Sequence, residues 1–157
     1  MTLDEVRAQR GALQTEEDSV SFVRRVVQGR LDIARDEIRR RASGEAPQRD
    51  VTDGITRVFA NERGSGSTRP PRDTEIAADH QMMRDLEKMC DSIGFGALRD
   101  LDDAELDACV QKLADFESVV SARRKALFSE IDALSTELVR RYRTSTSSVD
   151  ALLDESR

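Results

Sequence analysis

Residues 17–32, "EDSVSFVRRVVQGRLD", carry two helical lines at once, and the fold follows from reading both. Val20, Val23, Val27 and Leu31 return at steps of three and four, which places them on one side of an α-helix. Glu17, Ser21, Arg24, Gln28 and Asp32 return at steps of four, three, four and four, on a neighbouring side. The apolar line is a seam for a second helix. The polar line is something a seam does not require.

Outward from this stretch the seam continues through Ala34 and Ile38, and no proline interrupts it before Pro47. Thr15 with Asp18 three places on reads as a capping pattern, so the spacing predicts a first helix over 15–42. Phe22, Val26 and Ile33 make a second apolar line on another side, which one partner helix cannot cover. A connector follows over 43–73: "ASGEAPQRDVTD" (42–53) ends the helix, Ile55, Val58 and Phe59 suggest a docking turn, and "RGSGSTRPPRD" (63–73) reads as a mobile linker.

A shorter helix is expected over 74–93, carried by Ile76, Met82, Met83, Leu86, Met89 and Ile93 and stopped by "GFG" at 94–96. The second long helix is expected over 102–142, with Leu113, Phe116, Val120, Leu127, Ile131, Leu134 and Leu138 as its apolar side. The tail, 143–157, is polar enough to fray, although Val149, Leu152 and Leu153 allow a small terminal helix. The expected fold is all-α: one domain over 1–157, with two long helices in an antiparallel coiled-coil hairpin plus one shorter helix and flexible linkers.

Composition agrees with an elongated helical protein. Of 157 residues, 36% are charged and 4% aromatic, with no Trp, which leaves little material for a thick interior. The net charge of −6 argues against broad nucleic-acid binding, because the basic clusters at Arg24 and Arg25, Arg39 to Arg41, Arg123 to Lys125 and Arg140 and Arg141 are local. Cys90 and Cys109 are too few for a disulfide framework and too far apart for a CxxC pair, so reduced, buried thiols are expected. No apolar run reaches the eighteen or so residues of a membrane span, and "MTLDEVRAQRG" lacks a signal-peptide core; a cytoplasmic protein is expected.

The sequence also matches itself at a shift of one hundred. Glu5, Ala8, Leu13, Glu17, Val20, Ser21, Arg24, Asp32, Glu37, Arg40 and Arg41 meet Glu105, Ala108, Leu113, Glu117, Val120, Ser121, Arg124, Asp132, Glu137, Arg140 and Arg141. Within the polar stripe only Gln28 changes, to Phe128. One such stripe is ordinarily a solvated face with ion pairs worth ~0.3–0.5 kcal/mol each. A stripe repeated is different, since paired seams dictate apolar identity and not which polar residue stands beside them.

If the two helices pair antiparallel, both stripes border one groove about a pseudo-two-fold axis, and such a groove suits a two-fold ligand. From Glu17 to Asp32 each stripe rises ~22 Å. Arginine forks onto guanine O6 and N7, carboxylates accept from guanine's ring N–H and amine, and serine hydroxyls suit phosphate oxygens. Catalysis is not expected: His80 stands alone, with no nucleophile, Gly-rich phosphate loop or metal-ligand spacing.

The doubled pattern Glu-x3-Ser-x2-Arg-x3-Gln-x3-Asp resembles the signature of the RsiG family. These are actinobacterial anti-sigma factors that hold the sporulation sigma factor WhiG with the help of cyclic di-GMP. The resemblance extends to "RRVVQGRLDI", "VTDGITRVFANE", "LDDAEL" and "RRYRTSTSSVDALL", most of the chain. It implies an antiparallel coiled coil that binds a partly intercalated cyclic di-GMP dimer and then sequesters a WhiG-type sigma factor. Glu17, Ser21, Arg24, Gln28 and Asp32 would line one half-site, and Glu117, Ser121, Arg124 and Asp132 the other. Phe128 departs from the pattern and removes an amide donor. The competing expectation is a ligand-independent coiled-coil adaptor with the same seams. Phe22, Val26 and Ile33, with Met82, Met83, Leu86 and Met89, are expected to meet either the third helix or the partner.

Overall fold

The computed structural model describes residues 1–44 and 80–155, with side chains through residue 144. The described residues form three α-helices: α1 (Leu3–Ser43), α2 (Gln81–Ser92) and α3 (Asp103–Glu155), with a 3-10 turn at Phe95–Ala97 before α3. The expected linker at 63–73, the cluster Ile55, Val58 and Phe59, and the first part of the 74–93 helix lie outside the described residues.

Helix α1 begins twelve residues before the expected start. Thr2, not Thr15, is the N-cap: the Glu5 amide donates to Thr2 Oγ1 (3.2 Å), and the Thr2 amide donates to Glu5 Oε2 (2.6 Å). Thr15 instead donates its hydroxyl to the Gly11 carbonyl inside the helix. One hundred places on, Asp102 and Glu105 exchange the same two bonds and start α3. Gly44, in the left-handed region at φ 67°, ends α1. Helix α3 does not fray after Tyr142 but continues to Glu155.

The two long helices run antiparallel. As α1 advances through residues 10, 21, 24 and 28, its side-chain partners on α3 fall through 135, 124, 121 and 117, step for step. Val20, Val23, Val27, Leu31 and Ala34 of α1 are buried against Leu106, Cys109, Leu113, Val120 and Leu127 of α3 in one core. Burial of such side chains, at roughly 1.5–3 kcal/mol each, is the main force closing the hairpin.

Helix α2 caps one flank. Leu86 and Cys90 are buried, and Met82, Met83 and Met89 pack on the core. Arg30, one turn from Val26 and Ile33, donates to Glu87 (2.5 Å) and to Cys90 Sγ (3.1 Å), so α2 lies along the flank of α1 that carries the second apolar line. Val26 packs on the core, whereas Ile33 stays 41% exposed. On α3 the matching positions are Ala122, Ala126 and Ala133, with Glu130 in place of Arg30, which offers no second helix a comparable seat. Cys90 and Cys109 are both free and buried, and burial pushes the Cys109 thiol up.

Candidate functional site

With a register fixed by the seam and a repeat of one hundred residues, a pseudo-two-fold axis crosses the hairpin beside Phe22 and Val23 on α1 and Ala122 and Arg123 on α3. Ser21 and Arg24, and their counterparts Ser121 and Arg124, therefore meet near the centre. Arg24 Nε donates to Ser121 Oγ (3.0 Å) and lies 3.3 Å from Glu117 Oε1. Across the axis Arg124 Nε donates to Ser21 Oγ (2.7 Å) and Glu17 Oε1 (3.1 Å). Each serine also donates to the glutamate one turn before it: Ser21 to Glu17 at 2.5 Å, Ser121 to Glu117 at 2.9 Å.

Each helix thus supplies a Glu–Ser acceptor pair and sends its arginine to the pair on the other. Both arginines use Nε for these contacts, and their Nη nitrogens donate to no described residue. Both arginine side chains are about one-third exposed, and the unused Nη nitrogens of each leave a fork for an acceptor in the groove. The ion pairs are worth only ~0.2–1 kcal/mol each at such exposure, so they orient the arginines more than they hold the hairpin.

The two halves are not identical. Gln28 donates its amide to Glu117 Oε1 (3.1 Å). Phe128, in the equivalent place, lies under Arg124 with the guanidinium carbon 4.6 Å from the ring centroid, a cation–π contact worth roughly 0.5–1 kcal/mol. Glu17 receives a longer bond from Gln14 Nε2 (3.3 Å) and is the more deeply buried glutamate.

Glu17, Ser21, Arg24, Gln28, Glu117, Ser121 and Arg124 are brought together in these two clusters. Asp32 and Asp132 are not: both are exposed at opposite ends of the stripe and accept no hydrogen bond among the described residues. Gln14 had no signal in the repeat, since its counterpart is Ala114. The repeat did carry a second paired feature. Glu37 binds Arg40 and Arg41, and Glu137 binds Arg140 and Arg141. Hydrogen bonds from Arg40, then Arg41, lower the Glu37 carboxyl to about 2, and Arg140 with Arg141 lower Glu137 to about 2. Arg41 continues to Asp103 (2.8 Å) and the Leu98 carbonyl (3.0 Å), and Arg141 to the Met1 carbonyl (2.7 Å). Arg41 and Arg141 therefore each tie down the start of the opposite helix.

His80 has a structural task, accepting the Met82 amide as the N-cap of α2. Among the described residues no group of His, Cys, Asp or Glu could hold a metal ion, and no helix is long and apolar enough to cross a membrane.

The sequence model of the RsiG-like family matches residues 1–58 and 95–156. The chain belongs to the RsiG-like family. Both stripes lie in the matched segments, and α2 lies in the stretch between them. Membership gives the chain, at the level of the family, a regulatory anti-sigma role. Comparison with individual curated proteins finds no match.

Proposed function

We propose that this RsiG-like chain binds cyclic di-GMP, as a dimer, in the groove between α1 and α3, and in that loaded form sequesters a WhiG-type sigma factor. It works in the actinobacterial cytoplasm by occupancy, not catalysis, and lowers transcription of late sporulation genes. The observation that carries this reading is the reciprocal crossing of Arg24 and Arg124, which puts two open guanidinium forks on one face about a two-fold axis. A guanine edge is a matching acceptor for such a fork, at ~1–3 kcal/mol of discrimination per bidentate contact. Asp32 and Asp132, without hydrogen-bond partners among the described residues, can accept from guanine N–H groups at the groove's ends.

One observation favours the adaptor reading. Each arginine already pairs through Nε with a glutamate on the opposite helix, so the helices are cross-linked without a guest. A pull-down separates the two. The immobilised chain should retain a WhiG-type sigma factor with cyclic di-GMP and release it without; retention that ignores the nucleotide supports the adaptor and sinks the ligand.

A further inference from the structure

The stripes are short of positive charge for that guest. Glu17, Asp32, Glu117 and Asp132 stand against Arg24 and Arg124, so four carboxylates and two guanidiniums leave two net negative charges in the groove. A cyclic dinucleotide dimer brings about four more, one per phosphodiester. Like charges brought into one cleft repel, so binding calls for cations beyond the stripe positions.

Arg25 and Lys125 stand where such cations are needed. They are one hundred residues apart, each follows a stripe arginine, and both are exposed. Arg25 lies one turn from Ser21 and from Gln28, and Lys125 one turn from Ser121 and from Phe128. Each therefore borders the stripe on its own helix, close to the pseudo-two-fold axis. Neither has an acidic residue three or four places away, and neither makes a hydrogen bond or ion pair among the described residues. Several other arginines of the hairpin are held, Arg7 by Asp4, Arg39 by Asp36, Arg41 by Glu37 and Arg123 by Glu16, while Arg35 is exposed without a partner among the described residues but has no basic counterpart at Ser135. In a chain with 31 acidic against 25 basic residues, an unpaired cation at the same place in both repeats is a local reversal of the general charge.

We propose that Arg25 and Lys125 are a pair of phosphate-binding side chains on the rims of the groove, holding the phosphodiesters of a cyclic dinucleotide whose bases the stripe reads. The inference rests on the cyclic di-GMP reading and adds to it the residues that neutralise the ligand.

The test is calorimetric titration of cyclic di-GMP into the full chain over a series of salt concentrations. The double variant Arg25→Gln with Lys125→Gln should bind on the order of tenfold more weakly at low salt. Its plot of log affinity against log salt should be flatter than that of wild type, as two salt-screened contacts to phosphate are lost. The charge-keeping exchange Arg25→Lys with Lys125→Arg should stay near wild type. So should Lys112→Gln, an exposed cation not within a turn of any stripe residue. Far-ultraviolet circular dichroism should show unchanged helix in all of them, because none of these side chains enters the seam. Unaltered affinity and salt slope in the Gln pair, with binding by wild type, overturns this inference and leaves the ligand reading standing. A wild-type chain that binds no cyclic di-GMP overturns both.

Discussion

On the groove face, α1 and α3 keep the same residues: Glu17 and Glu117, Ser21 and Ser121, Arg24 and Arg124, Asp32 and Asp132. On the flank where α2 docks they part company, with Phe22, Val26, Arg30 and Ile33 of α1 answered by Ala122, Ala126, Glu130 and Ala133 of α3. The seam between these faces is common to both and only asks for apolar side chains of suitable size. The difference teaches what each face has to satisfy. A face built on two crossing arginines needs both copies of its residues, because each arginine's acceptors sit on the other helix. A flank that seats a single helix needs one apolar side, and the second copy is released.

The largest expected effect attacks the flank. Leu86 is the fully buried anchor of α2, and Leu86→Ala should cost roughly 2–5 kcal/mol of local stability. The loss should fall on α2 before the hairpin, since α1 and α3 share the longer seam. Alkylation of Cys90 and Cys109 should then speed up on the order of tenfold or more, as local opening becomes easier. Labelling at the wild-type rate would mean that α2 does not guard these thiols.

A smaller effect compares the two clamps. Folded-state carboxyls near 2 lie below the ordinary glutamate value, so Glu37 and Glu137 stabilise the fold above about pH 4.5, and that contribution disappears as pH falls toward 2. Glu37→Gln should therefore remove more of the acid dependence of stability in this window than Glu137→Gln, because Glu37 is 9% exposed and Glu137 30%. Denaturant melts at pH 6 and pH 3 measure it. Equal slopes for the two variants would show that burial does not distinguish the clamps.

The smallest effect concerns the one position at which the repeated stripe changes. Phe128→Gln exchanges a cation–π contact of roughly 0.5–1 kcal/mol for an amide hydrogen bond of similar worth, so global stability should move by less than about 1 kcal/mol. The side-chain Nε–H resonances of Arg24 and Arg124 should be distinct in wild type and should move toward each other in the variant. If they stay as far apart as before, Phe128 is not what makes the halves unequal.

Much of this was legible in the letters. The seam residues Val20, Val23, Val27, Leu31, Leu113, Val120 and Leu127 are all buried, because a three-and-four spacing fixes a helix side whatever the partner. The helix ends were less legible. Thr2 and Thr15 both precede an acidic residue three places on, and only contacts of residues 1–14 with α3, such as Arg10 with Ser135, decide which one caps. The polar "RTSTSS" argued for fraying at the other end, yet α3 continues through it to Glu155. In the groove, each stripe was visible but not which arginine would reach which glutamate. That choice depends on the stagger of the two helices, which neither spacing contains alone. Phe128 could be recognised as a departure, but its stacking on Arg124 depends on a rotamer and not on a pattern.

The central claim is that Arg24 and Arg124, crossed over the pseudo-two-fold axis, read one two-fold guanine ligand. Calorimetric titration of cyclic di-GMP into the full chain and into the Arg24→Ala, Arg124→Ala double variant tests it most directly. The account predicts saturable binding of two nucleotides per chain by wild type and a loss of affinity of at least a hundredfold in the variant, whose helical signal stays intact. Indistinguishable isotherms for the two proteins would contradict it.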